Sequence, residues 1–272
     1  MRLRLKFTLF AILASTFAIH SQVAKRVVSL APSITKNIYL MGAQDKLVGC
    51  TSYCITEKED NVPVVASAVK VNIERLYSLK PDMVLTAGLT SPETLGMLKK
   101  LGIKYKVFES PKDFEGICYQ FLEIAKVVGY EENANKIITV EKAKLAKLSS
   151  KIPKTKAPEI FIELGAKPLF AVIPNTFMHD YIKYVGGINI ATDMNTGIIS
   201  RETVLLKNPD IIFITTMGAT GDEEINTWLN YKGLNAAKTN SVFTLDSDIA
   251  CTPCPTSFTE TVAKMIELMY GK

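Results

Sequence analysis

Histidine is almost missing from this chain: His20 and His179 are the only two. A centre built from several imidazoles is thereby excluded, and histidine acid–base chemistry has one candidate past the N-terminal segment, His179 beside Asp180. A helix-start histidine of this kind is more often simply solvated. Tryptophan occurs once, as Trp228, and no cysteine precedes Cys50, so a lipid-modified N-terminal cysteine is not expected. The motifs GxSxG, the P-loop and the dinucleotide fingerprint are all absent, which removes the scaffold signatures of nucleophilic and phosphate chemistry. Charge of one sign is scarce as well. Lys and Arg number 32 against 27 Asp and Glu, a net +5 that falls to +2 without Arg2, Arg4 and Lys6. So weak an excess carries no nucleic-acid reading.

What is present is a folding composition: 272 residues, 47% hydrophobic and 22% charged. The opening MRLRLKFTLFAILASTFAIHSQ places three cations ahead of an apolar run from Phe7 to Phe17, the order of a cleaved secretory signal. That run is shorter than the ~20 residues a bilayer needs, and no later stretch is longer. Residues 1–21 are therefore expected to be a signal peptide cut after Ser21, with export to the periplasm. Five cysteines (Cys50, Cys54, Cys118, Cys251, Cys254) in an exported chain leave at least one thiol free or paired with another molecule. Cys118 shares an apolar helical face with Ile117, Phe121 and Ile124, and is expected to pack as a small hydrophobe; Cys50 and Cys54 are expected to be paired or buried.

From Arg26 short β-rich runs alternate with capped helices, which points to an α/β layered fold. Asn72 should cap a short helix that Pro81 ends, feeding a strand from Met83. Between Asp113 and Lys151 the rhythm changes to two consecutive helices, the second rich in Lys, Glu, Ala and Leu and long enough, at ~30 Å, to act as a strut. After Pro158 the alternation resumes. The expected organisation is an N-terminal α/β lobe over 22–129, a single backbone helix over 130–152 and a C-terminal α/β lobe over 153–272, with a ligand cleft between the lobes.

An internal repeat supports two pseudo-symmetric lobes. The pairs Asn72/Ser200, Glu74/Glu202, Pro81/Pro209 and Asp82/Asp210 each stand 128 residues apart. Taken with LAPSITKNIYLMGAQDKLVGCTSY, KPLF, GGINIATD and VFTLDSD, these segments resemble the class III substrate-binding proteins of bacterial ABC importers. Those proteins carry cobalamin, haem or iron-siderophore complexes, and the likeness is strongest to the cobalamin-binding branch. The resemblance implies two lobes spanned by one helix, and a carrier that performs no catalysis. It also implies a metal-chelate ligand, no cofactor of its own, and delivery to a membrane permease dimer by a monomer.

Glu74 and Glu202 have a purely local reading as acids in a first helical turn, where they offset the macrodipole by ~0.3–1 kcal/mol. The resemblance adds a second: one exposed Glu per lobe docks onto the permease. In α/β sheets ligands sit beyond the carboxyl ends of strands. The loops there are Ala31 to Ser33, Thr51 to Cys54, Ala87 to Thr90, Gly165 to Phe170, Met217-Gly218 and Asp246 to Cys254. Pro32, Tyr53 and Phe170 match cleft residues of the cobalamin branch and Asp248 matches an acidic one; Ser33, Cys54, Gly88, Cys251 and Cys254 share these loops. The tryptophans and the arginine that line that branch's cleft are absent, the arginine being replaced within Cys251-Thr252-Pro253-Cys254. A rival reading from another class is an exported thiol-redox enzyme using Cys251 and Cys254. No catalytic or metal-ligating residue is assigned.

Overall fold

In parallel α/β sheets both faces are covered, so strands read as short continuous apolar runs, and this chain is built from such runs. A computed structural model describes residues 23–67, 70–154, 156–215 and 221–271. The signal-peptide expectation for 1–21 and the loop at Met217-Gly218 lie outside them.

The first sheet takes β1 (Val27–Ser29), β2 (Leu47–Thr51), β3 (Val64–Ala66), β4 (Met83–Ala87) and β5 (Tyr105–Phe108), in the order β3-β2-β1-β4-β5 and parallel throughout. Its helices are α1 (Pro32–Leu40), α2 (Ile73–Ser78) and α3 (Pro92–Lys100). Successive side chains leave opposite faces of a strand, and the core divides accordingly. Val27 and Leu85 join Ile34, Ile38 and Phe121 on one face, while Val28 and Val84 join Val65, Leu76 and Leu98 on the other. The strand order reverses between β1 and β4, which places the crevice of this sheet beyond the end of β1, where α1 begins.

Two helices follow without a strand between them, α4 (Phe114–Val128) and α5 (Glu131–Ser149). The long helix α5 falls within the stretch 130–152 where the sequence places a single backbone helix, and α4 reaches both cores as well. Its first half (Phe114, Ile117, Cys118) packs in the core of the second sheet and its second half (Phe121, Ile124, Val128) in that of the first. The Phe114 ring lies 4.9 Å from Phe258, centroid to centroid, and the Phe114 amide donates to Asp180 at 2.9 Å. Cys118 is buried as an apolar side chain, as its helical face indicated.

The second sheet is β10 (Val242–Leu245), β9 (Ile211–Thr215), β6 (Glu159–Ala166) and β7 (Leu169–Ala171), with β8 (Ile188–Asn189) also on β6. All pairs are parallel except β6–β7. The helices here are α6 (Phe177–Tyr184), α7 (Arg201–Lys207), α8 (Gly221–Leu229), α9 (Asn235–Lys238), α10 (Ser247–Ala250) and the C-terminal α11 (Pro255–Tyr270). The stretch Gly165 to Phe170, expected to be an open loop, is instead an antiparallel hairpin turning at Lys167-Pro168. Proline at a turn donates no ladder hydrogen bond, and the flanking residues continue the pairing.

Asp82 and Asp210 show what the repeated Pro-Asp does. Asp82 accepts from the amides of Lys25 and Arg26 at 2.9 and 3.1 Å, and Asp210 from the amide of Glu159 at 3.0 Å. Each carboxylate thus holds the start of the neighbouring parallel strand, where backbone donors have no ladder partner.

Candidate functional site

A concavity of about 870 Å³ lies where the carboxyl-end loops of the two sheets face one another. One wall is α1 (Pro32, Ser33, Lys36, Tyr39) with the segment after β2 (Tyr53, Ile55, Glu57); the other is Ser247, Asp248, Cys251 and Thr252. Pro32 occupies the first position of α1, where its fixed φ suits a helix start and its missing N–H is no loss. Asp246 caps α10 by accepting the Asp248 amide at 2.8 Å, which sets the opposite wall.

Two hydrogen bonds join these walls across the lobes: Lys36 Nζ donates to the Asp248 carbonyl at 2.9 Å, and Asn37 Nδ2 donates to the Pro253 carbonyl at 3.3 Å. The rim is apolar and aromatic, with Tyr53 64% and Ile55 73% exposed. Such a lining suits a large ligand held by contact area with few directional bonds. Tyr39 donates to Asp60 at 2.5 Å; burial, reinforced by that carboxylate, pushes its phenol up and keeps it neutral. Burial also raises the Cys251 thiol above its ordinary value.

Of the residues singled out from sequence, Pro32, Ser33, Tyr53, Asp248 and Cys251 come together in this cleft. Four stand apart from its lining. The Cys54 sulfur turns inward to Thr35 and Thr51. Gly88 backs onto Glu109, whose carboxylate a Cβ would strike. Phe170 belongs to the β6–β7 hairpin and covers Gly197, where an added Cβ would lie 2.9 Å from its ring. Cys254 is buried as the N-cap of α11, its sulfur accepting the Ser257 amide at 3.3 Å while Ser257 Oγ accepts the Cys254 amide at 3.1 Å. His179 is half-buried rather than solvated, with Nδ1 3.1 Å from Asn189 Nδ2; burial lowers its pKa.

Lys36, Tyr39, Ile55 and Glu57 were missed, while Ser247 and Thr252 fall in the expected Asp246 to Cys254 loop without having been singled out. The signal was available: Pro32, Lys36 and Tyr39 recur at helical spacing, so one face of α1, and not only the loop before it, meets the cleft.

Glu74 and Glu202 are both exposed, each at the second position of its helix. Asn72 Oδ1 caps α2 by accepting the Arg75 amide at 2.9 Å, and Ser200 Oγ caps α7 by accepting the Thr203 amide at 3.1 Å. Backbone donation and the Ser200 hydroxyl hold the Glu202 carboxyl below its usual range.

The periplasmic binding protein family matches residues 27–249, well over half of the chain. The chain belongs to that family. An ABC transporter substrate-binding lipoprotein of Bacillus subtilis is 28% identical over 256 residues, 90% of this chain and 80% of that protein. A vitamin B12-binding protein of Yersinia pestis is 28% identical over 222 residues, 80% of this chain and 79% of that one. Among solved structures, the periplasmic vitamin B12-binding protein of Vibrio cholerae superposes with a TM-score of 0.75 at 25% identity, covering 90% of this chain and 97% of that one. Its two sheets match the two-lobed fold of periplasmic binding proteins, and the resemblance drawn from sequence motifs holds. No helix among the described residues is long and apolar enough to cross a membrane.

Proposed function

We propose that this protein is exported to the periplasm by removal of residues 1–21, captures cobalamin or a related corrinoid, and hands it as a monomer to the permease dimer of an ABC importer. It binds and releases its cargo unchanged. The observation that carries the reading is the shared cleft of about 870 Å³, walled by Pro32, Tyr39, Tyr53 and Ile55 on one side and Asp248 and Cys251 on the other. The vitamin B12-binding relatives, at 25–28% identity, support a corrinoid as the first choice of cargo. Glu74 and Glu202 are the docking acids in this account. Rim charges of this kind mainly set recognition and encounter rate, and each of these is already presented to solvent at a helix start.

Absorption titrations of the mature protein with cobalamin, haemin and a ferric siderophore test the cargo. Saturable cobalamin binding that Tyr53→Ala weakens roughly tenfold, about 1.4 kcal/mol, is the expected result. Binding of haemin or the siderophore in place of cobalamin would keep the carrier and replace the cargo. If none of the three binds, the metal-chelate cargo is wrong. Thiol–disulfide exchange activity lost on replacing Cys251 and Cys254 with Ser would then favour the enzyme reading.

A further inference from the structure

The cleft walls are joined through two consecutive residues of α1, and the two bonds differ in what their release would leave behind. Asn37 is 1% exposed, and its Nδ2 donates to the Ser33 carbonyl at 2.8 Å as well as to the Pro253 carbonyl at 3.3 Å. Pro253 is buried too, so parting this contact would strand polar groups away from water, which costs more than the bond itself contributes.

Lys36 is placed otherwise. Its side chain is half-buried and lines the cleft, and its Nζ donates at 2.9 Å to the Asp248 carbonyl of the opposite wall. That carbonyl belongs to α10, and the last carbonyls of a helix have no partner within it. Thr252 Oγ1 donates to the same oxygen at 2.5 Å. The carbonyl therefore keeps a donor when Lys36 lets go, and nothing buried is orphaned.

The ammonium, for its part, is underpaired. Among the described residues of the lining it is the only cation, and the acceptor it has found is a neutral oxygen. Glu57 and Asp248 share the lining, but their carboxylates are exposed to solvent and form no ion pair with it. A hydrogen bond to an ionised acceptor is roughly twice as strong as one to a neutral acceptor, so an anionic oxygen entering the cleft outcompetes the carbonyl.

We infer that Lys36 selects for cargo that carries a phosphate or carboxylate at the edge of the chelate, by moving from the Asp248 carbonyl onto that group. The exchange undoes one of the two bonds between the walls, while Asn37 and Pro253 keep them joined. Pro32, Tyr53 and Ile55 hold the ring system by contact area, and Lys36 decides which way round it lies. This role rests on the carrier function proposed above, and not on which chelate is carried.

Two ligand pairs test it by absorption titration of the mature protein. Cobalamin bears a phosphodiester in its nucleotide loop and cobinamide has the same ring without that loop, both taken as dicyano complexes; haemin bears carboxylates that its dimethyl ester lacks. The unmutated chain is expected to bind the anionic member of the pair it accepts roughly fivefold more tightly than the other. Lys36→Met should bring the two members within about twofold, by weakening the anionic one, and Lys36→Arg should keep the preference. No preference in the unmutated chain, or one that Lys36→Met leaves intact, would overturn the role of Lys36 while the carrier function stands. Should cobalamin not bind while haemin binds ahead of its ester, the corrinoid cargo is lost and the role of Lys36 stands. Binding of neither cobalamin nor haemin removes both. If a variant does not fold, the comparison within each pair on the unmutated chain still decides.

Discussion

The unit α2–β4 and the unit α7–β9 are the same piece of backbone written twice. The caps Asn72 and Ser200, the acids Glu74 and Glu202, the buried Leu76 and Val204, and the strands Met83–Ala87 and Ile211–Thr215 all stand 128 residues apart. Their interiors differ. Ile73 packs in an apolar cluster with Val28, Leu76 and Leu98. Its counterpart Arg201 lies 4.6 Å over the ring of Trp228 and pairs with Glu224, and Trp228 Nε1 donates to Glu163 at 2.7 Å. Backbone geometry and outward charge are repeated, while the underside follows whatever each lobe packs against. A partner that reads both lobes would meet two similar handles on unlike foundations.

The largest effect should come from attacking what the halves share. Charge reversal of both acids, Glu74→Arg with Glu202→Arg, is expected to cut ligand uptake by the reconstituted importer roughly 100-fold, because like charges brought together cost several kcal/mol. Ligand affinity measured by titration should stay within about twofold. The single variants should fall between, and similarly. A loss of affinity equal to the loss of uptake would show that these acids serve the cleft or the fold instead.

Next come the interiors. Trp228→Phe removes the donor to a carboxylate that is fully buried, and should destabilise the protein by about 2–4 kcal/mol in urea unfolding. The same cluster makes the C-terminal lobe sensitive to pH. Burial first, opposed by the Trp228 hydrogen bond and reinforced by Glu224, raises Glu163 from 4.5 to about 7. Arg201 of α7 favours the ionised form, and Thr215 of β9 bonds only the Glu163 carbonyl. A folded-state pKa above the unfolded one means that the folded form holds a proton the unfolded form has released. Stability therefore falls as pH rises from about 4.5 to 7 and levels off above. Amide exchange in β6 and β9 should show this slope, β4 should not, and Glu163→Gln should flatten it.

Much of this architecture was legible in the sequence because it rests on local rules. Asn72, Ser91, Asp113, Thr176 and Ser200 each cap the helix that follows, and Gly129 ends α4 at a left-handed φ of 78°. The strand runs and the 128-residue repeat needed only periodicity. The cleft was half-legible, since looking beyond strand ends locates Pro32, Tyr53 and Asp248 but not Lys36 or Tyr39, which arrive on a helix face. The stretch Gly165 to Phe170 was read as a loop because a proline turn between apolar residues looks like one until an antiparallel partner is known. Cysteine spacing misled for a related reason: whether a sulfur caps a helix, as Cys254 does, or collects hydroxyl donors, as Cys54 does, depends on tertiary neighbours.

The smallest effect concerns one backbone position in each unit. Lys80 and Asn208, which precede Pro81 and Pro209, both adopt left-handed φ, 47° and 46°. For a side chain such as Lys that conformation is unfavourable by roughly 1 kcal/mol, whereas Asn tolerates it. Lys80→Asn should therefore stabilise the N-terminal lobe by about 0.5 kcal/mol, without touching the Arg26 bond to the Lys80 carbonyl. The reverse change is not its mirror image. Asn208 Oδ1 accepts the Asn235 amide at 2.8 Å, so Asn208→Lys loses a hydrogen bond as well as conformational ease and should destabilise by about 1.5 kcal/mol. Equal and opposite shifts in urea midpoint would mean that φ alone matters at both sites; a threefold asymmetry would locate the difference between the lobes in what each residue holds beyond its own backbone.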